Sequence, residues 1–266
     1  CLGTPQSQSF CTESNPMLKI VWLTNWVSIR KGDLTGIKLL KYAEKHFEYD
    51  VIGTIGCNKM AQTLYKSLGY TCGKMQRLVS LNPNKRSQRI VSTPDGDDSS
   101  DRIFLFNNVN KAIKLERLTY ANDIQSAIKK VNDQGNTGVK PLSYYMNRYF
   151  FHPIYKYKFY VLTPSASGSN LSILIIRECN ANMSNALRIV DIVGDISSVL
   201  NSSKFWLKDI FRDGAEYIDL YHTSCIDTLN IENSGFIDID CLKGFIVPGY
   251  FEPFVESNPT IRSAFK

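Results

Sequence analysis

A pattern of strand, helix, strand and short helix occurs twice in this chain, and this internal repeat constrains the fold more than any single element. In the first copy, the β-branched and aromatic segment from Lys19 predicts a strand. Residues 34–49 then carry apolar side chains at helical spacing, with lysines on the other side. A buried strand from Val51 and a short helix over 58–70 complete this copy.

The second copy has the same order: a strand from Leu187, a helix over 196–217, a strand from Tyr217 and a short helix over 225–236. Three landmarks recur at a spacing of 166 or 167 residues, which is hard to obtain by chance. The pairs are Ile20 with Leu187, Val51 with Ile218, and Gly69 with Gly235. We therefore predict an α/β fold with mixed sheets and two related units. Two unrelated α/β pieces are the alternative.

The composition is that of a globular protein and excludes extended disorder. Of 266 residues, 43% are hydrophobic and 21% are charged. No run reaches the roughly 18–20 apolar residues that span a bilayer, so we expect no membrane insertion. The seven cysteines are scattered, without a CxxC pair or a Cys/His cluster. We therefore expect no disulfide framework, no metal site and a cytoplasmic location.

The first copy is expected to be incomplete. The chain opens with Cys1 rather than Met and shows no signal-peptide pattern. Only 19 residues precede Ile20, whereas residues 105–186 lie upstream of Leu187 and could supply the rest of a domain. If the copies are duplicates, the first lacks its N-terminal half.

The charge distribution suggests a domain boundary. Residues 1–90 contain 13 Lys and Arg against 5 Asp and Glu, whereas the remaining residues contain 18 against 20. Residues 91–101 are rich in Ser, Asp, Pro and Gly and predict a linker. We therefore predict a first domain over 1–90, a linker over 91–104 and a second domain over 105–266. The basic first part would attract phosphate groups, or it is an ordinary solvated helix face.

The short helix of the first copy carries the most specific motif, CNKMAQTLYKSLGY from Cys57. Together with the strand, basic loop and amphipathic helix before it, this motif resembles the GNAT (N-acetyltransferase) superfamily. The matching residues are Asn58, Ala61, Leu64, Tyr65, Leu68, Gly69 and Tyr70. The segment Lys31–Gly36 stands where the superfamily has its pyrophosphate loop, with Leu34 where glycine is usual. The resemblance covers 19–80 well and 105–250 more weakly, as a second, degenerate unit.

The resemblance implies that the first unit binds acetyl-CoA, or another acyl-CoA, as a co-substrate. A glycine-containing loop before a helix N-terminus offers backbone N–H groups and a favourable dipole to a pyrophosphate. By resemblance, Tyr65 is the general acid that protonates the leaving thiolate, or it is an aromatic packed on a helix face. The implied co-substrate-binding residues are Val27, Ser28, Ile29, Arg30, Lys31, Gly32, Asp33, Leu34, Thr35, Gly36, Asn58, Ala61 and Tyr65.

A general base is harder to place. His222 lies at the end of a predicted strand, where functional side chains often gather in α/β folds. It is the candidate base, and a strand-end histidine with a satisfied hydrogen bond is the alternative. Three charged residues in apolar strands, Arg177, Arg188 and Asp191, either line an acceptor pocket or form structural ion pairs. The second copy has SVLNSS over 198–203 in place of the loop, so we expect no acetyl-CoA there.

These features predict an N-acyltransferase that moves an acetyl or short acyl group from coenzyme A to a small-molecule amine. The tandem arrangement is similar to acyltransferases of bacterial surface-polysaccharide gene clusters, which implies a nucleotide-linked amino sugar as acceptor. The alternatives are a non-catalytic GNAT-like scaffold and a Fem-type aminoacyl transferase. No pattern in the sequence indicates specific recognition of nucleic acid. No Ser-His-Asp arrangement, P-loop or HExxH motif supports another enzyme class, and the oligomeric state is left open.

Overall fold

The computed structural model describes residues 6–10, 18–24, 34–85, 87–94, 113–134, 140–164, 170–223 and 234–266. The chain divides into two compact units. The first comprises 1–75, 137–141 and 260–266, and the second comprises 76–136 and 142–259. Within the described ranges, no helix is both long enough and apolar enough to span a membrane.

The first unit is built on a mixed sheet. Its strands are β1 Gln6–Phe10, β2 Leu18–Trp22, β3 Val51–Ile55, β4 Thr71–Lys74 and β14 Arg262–Phe265. They lie in the order β1-β2-β3-β14-β4, with β2 and β3 parallel and β14 antiparallel to both of its neighbours. Helix α1 (Thr35–His46) follows β2, and helix α2 (Lys59–Ser67) follows β3. The core contains Val21, Leu40, Ile52, Tyr65, Tyr70 and Ala264.

The second unit is built on a larger sheet. Its strands are β5 Gln76–Leu81, β6 Ile113–Leu118, β7 Tyr157–Pro164, β8 Ser172–Ala181, β9 Ser184–Val193, β10 Tyr217–His222 and β11 Ile237–Asp238. They lie in the order β11-β5-β10-β9-β8-β7-β6. A separate hairpin joins β12 Tyr250–Phe251 to β13 Phe254–Val255. The helices are α3 Ala121–Asp133, α4 Leu142–Tyr145 with a π-helical turn at Met146–Phe150, α5 Ile196–Asn201 and α6 Ser203–Ile210.

Two of the three residue pairs that mark the sequence repeat occupy equivalent places. In the first unit, Ile20 lies opposite Val51 in the parallel pair β2–β3. In the second unit, Leu187 lies opposite Ile218 in the parallel pair β9–β10. A helix follows the first strand of the pair in each case. The 167-residue spacing therefore corresponds to the same register in two strand pairs.

The ends of α2 follow from local sequence signals. Asn58 precedes the helix in an extended conformation, and its side chain accepts a hydrogen bond from the Ala61 backbone N–H at 2.8 Å. Gly69 follows the helix with φ +83°, a left-handed conformation that glycine adopts without steric cost. The predicted N-cap and C-terminal stop are both confirmed.

The compact units divide the chain differently from the predicted domains. Residues 76–81, which composition assigned to the first domain, form β5 and pair with β10 in the second sheet. The C-terminal strand β14 lies between β3 and β4 in the first sheet. The predicted boundary was based on the distribution of charged residues, which reflects the surface. The sheet to which a strand belongs depends instead on its backbone hydrogen bonds with neighbouring strands. Most of the predicted linker lies outside the described residues.

Close approach of β14 to β3 gives a first test of the fold. A Cβ atom added at Gly53 would lie 2.8 Å from the Ala264 carbonyl oxygen and would overlap the Phe265 ring. We expect Gly53→Ala to lower the free energy of unfolding by about 1–3 kcal/mol through overpacking, measured by urea denaturation. The matched control is Gly73→Ala, where the nearest atom is 3.9 Å away at Ser263 Oγ. Equal stability of both variants would contradict the described packing.

Candidate active site

A cavity of about 380 Å³ opens where the parallel strands β2 and β3 end in the first unit. The carboxyl ends of adjacent parallel strands are a common place for ligand sites in α/β folds. Helices α1 and α2 form the other walls. The lining residues are Trp22, Leu23, Thr24, Gly36, Leu39, Leu40, Tyr42, Ala43, Phe47, Thr54, Ile55, Gly56, Cys57, Asn58, Ala61 and Tyr65.

The structure brings four of the predicted site residues together in this cavity. Gly36 comes from the first turn of α1, and Asn58, Ala61 and Tyr65 come from α2 and its N-cap. Leu34, the residue before α1, is 62% exposed, and Thr35 begins the helix. Seven predicted residues lie outside the described residues: Val27, Ser28, Ile29, Arg30, Lys31, Gly32 and Asp33.

Among the described residues, the N-terminus of α1 carries no acidic side chain; Asp33, which precedes Leu34, lies outside them. Its N-cap Leu34 makes no side-chain capping hydrogen bond, and the first turn contains no acidic residue. The first backbone N–H groups of a helix have no partner within the helix, and the helix dipole favours an anion there. A phosphate group beside the cavity would therefore meet a favourable field.

The equivalent helix of the second unit has the opposite character. Asp195 caps α5, and its side chain accepts a hydrogen bond from the Ser198 backbone N–H at 3.1 Å. This carboxylate occupies the place where a phosphate would bind and would repel one. The expectation that only the first unit binds a phosphorylated co-substrate stays a prediction.

Tyr65 combines a cavity position with deep burial. The residue is only 3% exposed, and its ring packs against the Tyr70 ring with centroids 4.9 Å apart. Burial, followed by the neighbouring thiols of Cys57 and Cys72, raises the pKa of Tyr65 to about 12. The phenol therefore keeps its proton at neutral pH, as a proton donor must.

Sequence analysis missed most of the cavity wall. The ends of the two strands contribute Trp22, Leu23 and Thr24 on one side and Thr54 to Cys57 on the other. Both segments belong to or directly follow the strands predicted from Lys19 and from Val51, and strand ends are a common place for ligand sites in α/β folds. The α1 contributions Leu39, Tyr42 and Phe47 are partly exposed apolar residues, which a helical pattern alone assigns to surface or core without distinction.

His222 lies in the second unit, at the end of β10, and is 7% exposed. Its Nδ1 lies 2.8 Å from the Thr223 carbonyl oxygen, so this nitrogen must donate and a neutral ring leaves Nε2 as the acceptor. Nε2 is buried without a hydrogen-bond partner among the described residues. The histidine thus has one satisfied and one unsatisfied nitrogen, and its role as general base stays a prediction.

Asp219 lies at the centre of a buried ionic cluster in the second unit. Its carboxylate pairs with Arg77 at 2.6 Å and with Arg188 at 2.8 Å, and the aspartate itself is fully buried. The two guanidinium groups also donate to the backbone carbonyls of Val247 and Gly249. Arg188 therefore takes part in a structural ion pair, the second of the two roles that its position in an apolar strand allowed.

Arg177 and Asp191 are also engaged. Arg177 pairs with Glu252 at 2.7 Å and stacks on the Tyr155 ring at 3.6 Å. Asp191 accepts a hydrogen bond from the Tyr149 hydroxyl at 2.9 Å. These contacts hold the strands and the β12–β13 hairpin together within the second unit.

Comparison with known proteins identifies the fold. No protein-family profile matches the sequence, and no curated protein is significantly similar to it. Among solved structures, a GCN5-related N-acetyltransferase from Anabaena variabilis matches 99% of this chain with a TM-score of 0.55 at 12% identity. A probable N-acyltransferase from Enterococcus faecalis matches 98% with a TM-score of 0.53 at 9% identity. The glucosamine N-acetyltransferase region of a fungal multi-domain β-N-acetylglucosaminidase matches the whole chain with a TM-score of 0.50 at 13% identity.

This chain spans 58%, 57% and 31% of the length of those three proteins, respectively. At these identities the likeness shows the fold. The predicted α/β class and the resemblance to N-acetyltransferases are confirmed at that level.

Proposed function

We propose that this chain, which has the fold of the GCN5-related N-acetyltransferases, is an N-acyltransferase that uses acyl-CoA in the cavity of its first unit. The observation that carries the proposal is the convergence of Gly36, Asn58, Ala61 and Tyr65 on one cavity beside an uncapped helix N-terminus. The cavity walls are largely apolar, which suits a pantetheine arm. We also propose that the second unit is a degenerate copy of the first, because the repeat landmarks share one register.

The acceptor that we propose is a small-molecule amine, and more specifically an amino sugar. One structural neighbour is a glucosamine N-acetyltransferase region, which supports this class of acceptor. Acyl transfer breaks a C–S bond and forms a C–N bond, so the sulfur must gain a proton and the amine must lose one. Tyr65 would supply the proton to sulfur.

Each wall would have a separate task. The N-terminus of α1 would hold the pyrophosphate, with Arg30 and Lys31 adding positive charge. The apolar side chains around Leu40 and Ala43 would line the arm and exclude water from the thioester. Asn58 holds the first turn of α2 and thereby fixes the position of Tyr65 two turns later.

A single substitution tests whether the N-terminus of α1 binds a phosphate. Leu34→Asp would give α1 the acidic N-cap that α5 already has. We expect helix stability to rise by about 0.5–2 kcal/mol while acetyl-CoA affinity falls at least about tenfold through repulsion. Isothermal titration calorimetry with acetyl-CoA measures the affinity, and thermal unfolding measures the stability.

The matched control is Tyr120→Asp, because Tyr120 is the exposed, uncapped N-cap of α3 in the second unit. This variant receives the same charge and the same kind of cap and should bind acetyl-CoA like the parent. Failure of the parent to bind acetyl-CoA at millimolar concentration would contradict the proposal and favour a non-catalytic scaffold. Equal weakening by both substitutions would show a general charge effect instead of a phosphate site.

A further inference from the structure

A stripe of three lysines runs along α1. Lys38, Lys41 and Lys45 recur at helical spacing, so they share one face, and all three are exposed. Within the described part of the chain none of them forms an ion pair. The single acidic residue of α1, Glu44, is already engaged by Lys266 at 3.1 Å and by the Tyr70 hydroxyl at 2.9 Å. Counting only the residues that the structure describes, the stripe therefore carries uncompensated positive charge.

An exposed apolar rim lies next to this lysine stripe. Leu39, Tyr42 and Phe47 line the cavity and are 38%, 56% and 42% exposed, respectively. On α1, Tyr42 lies one turn beyond Lys38, so the rim and the stripe are adjacent. Large apolar side chains around a cavity mouth beside a charged stripe are typical of a surface that a partner covers.

The stripe extends too far along the helix to serve the pyrophosphate of coenzyme A. At about 1.5 Å per residue, Lys41 and Lys45 lie roughly 9 and 15 Å from the start of α1. A phosphate held at the helix N-terminus would be near Lys38 and remote from Lys45. Lys45 in particular lies beyond the reach of a pyrophosphate bound there and is free to contact another acidic ligand.

We propose that the acyl donor reaches this cavity on an acidic, helical carrier protein whose phosphopantetheine arm enters between α1 and the strand ends. This inference rests on the proposed function and names the donor class for the same site. An acidic helix would lie along the lysine stripe, and its apolar residues would cover the rim. The arm would be positioned at the mouth by that contact, because the stripe and the rim are continuous.

The chemistry of transfer is unchanged by the carrier. The acyl C–S bond to the arm breaks and the C–N bond to the acceptor amine forms. The amine releases one proton, and the arm's sulfur receives one and leaves as a thiol. No further reactant is needed.

Two other partners with negative charge fit the surface less well. The stripe is about 10 Å long on a single helix, which is narrow for a nucleic acid, and the rim side chains are not interleaved with the lysines as base-stacking platforms are. Binding to an anionic membrane would require apolar side chains that insert into the lipid, and the side chains of the rim are only partly exposed. A helix-to-helix contact matches both the length and the polarity of the surface.

The test compares two donors on the full chain. The probes are acetyl-CoA and a purified acidic acyl carrier protein bearing a phosphopantetheine arm, and the readout is the dissociation constant of each. We expect Lys41→Glu with Lys45→Glu to weaken carrier binding at least about tenfold at low ionic strength. Binding of acetyl-CoA, measured at about 0.15 M salt, should stay within about twofold of the parent, because both lysines lie farther from the helix N-terminus than the Debye length of about 8 Å.

The control pair is Lys129→Glu with Lys130→Glu, two exposed lysines of α3 with the same change of charge. This pair should leave binding of both donors unaltered. Acetyl-CoA binding without carrier binding, or carrier binding that does not depend on the stripe, would overturn the inference and leave the proposed function standing. Failure of the parent protein to bind either donor would refute the proposed function itself. Stripe-dependent binding of transfer RNA or of phosphatidylglycerol vesicles, without carrier binding, would also overturn the inference.

Discussion

Replacing Tyr65 by phenylalanine is expected to lower kcat about a hundredfold while changing acetyl-CoA affinity less than about twofold. The substitution removes the hydroxyl and keeps the ring that packs against Tyr70. A thiolate is a moderately good leaving group, so the loss should lie at the lower end of the range for general acids. Steady-state kinetics with acetyl-CoA and an amino sugar measure kcat, and calorimetry measures the affinity.

Tyr70→Phe is the matched control for this experiment. It makes the same chemical change on the neighbouring tyrosine. The Tyr70 hydroxyl donates a hydrogen bond to Glu44, and Tyr70 does not line the cavity. We expect Tyr70→Phe to reduce stability modestly and to leave kcat near the parent value. Because the pKa of Tyr65 is raised to about 12, ionisation of this phenol should not reduce turnover at any pH below about 11. Full turnover in Tyr65→Phe would show that another group protonates the sulfur.

The elements that sequence analysis predicted well are those that local signals specify. Asn58 and Gly69 mark the two ends of α2, because a side-chain cap and a left-handed glycine affect only the few residues next to them. The strand starting at Val51 and the helix at Thr35–His46 follow from apolar periodicity in the same way. Such signals do not depend on the remainder of the chain.

The elements that could not be predicted are positioned by distant partners. Residues 76–81 are apolar enough for a strand in either sheet, and only pairing with Tyr217–His222 places them in the second. The strand Arg262–Phe265 is separated from the strand Val51–Ile55 by more than 200 residues of chain, yet the two strands pair. Strand propensity carries no information about which strands will become a segment's neighbours. The predicted helix over 196–217 likewise divides at Ser202 into α5 and α6.

The candidate site was predicted only in part for the same reason. A motif on α2 identified Asn58, Ala61 and Tyr65, because one helix presents all three. The opposite walls belong to β2 and α1, and their residues become neighbours of α2 only when the sheet forms. A sequence motif therefore identifies only those site residues that lie close together in the sequence.

The largest expected loss of stability follows substitution of Asp219 by asparagine. This change leaves Arg77 and Arg188 buried around a neutral amide, with the shape of the site preserved. Removing one partner of a buried ionic cluster destabilises a protein by about 3–5 kcal/mol, because the remaining charge is uncompensated. Urea denaturation monitored by circular dichroism measures this loss, and the C-terminal segment at Val247 should become protease-sensitive because Arg77 holds its carbonyl.

The dependence on pH separates this ionic effect from simple loss of packing. Burial alone would raise the pKa of Asp219, but the charges of Arg188 and Arg77 outweigh it and hold the pKa below the ordinary value of 3.8. A carboxylate whose pKa is lowered on folding stabilises the protein above its unfolded-state pKa and loses that contribution as pH falls toward the folded-state value. The stability difference between parent and Asp219→Asn should therefore be full at neutral pH and shrink below about pH 4.

Glu48→Gln provides the control, since Glu48 pairs with Lys19 on the surface of the first unit, where both side chains are largely exposed. Solvent and salt screen such a pair, so its loss should leave the unfolding midpoint nearly unchanged. If Asp219→Asn were as mild as Glu48→Gln, the two arginines would have to be hydrated in solution instead of buried. If the difference between parent and Asp219→Asn were constant from pH 7 to pH 3, the carboxylate charge would not be what stabilises the cluster. A large loss that fades in acid is the outcome that the geometry requires, because only a charged aspartate can balance the buried guanidinium of Arg77 together with the partly buried one of Arg188.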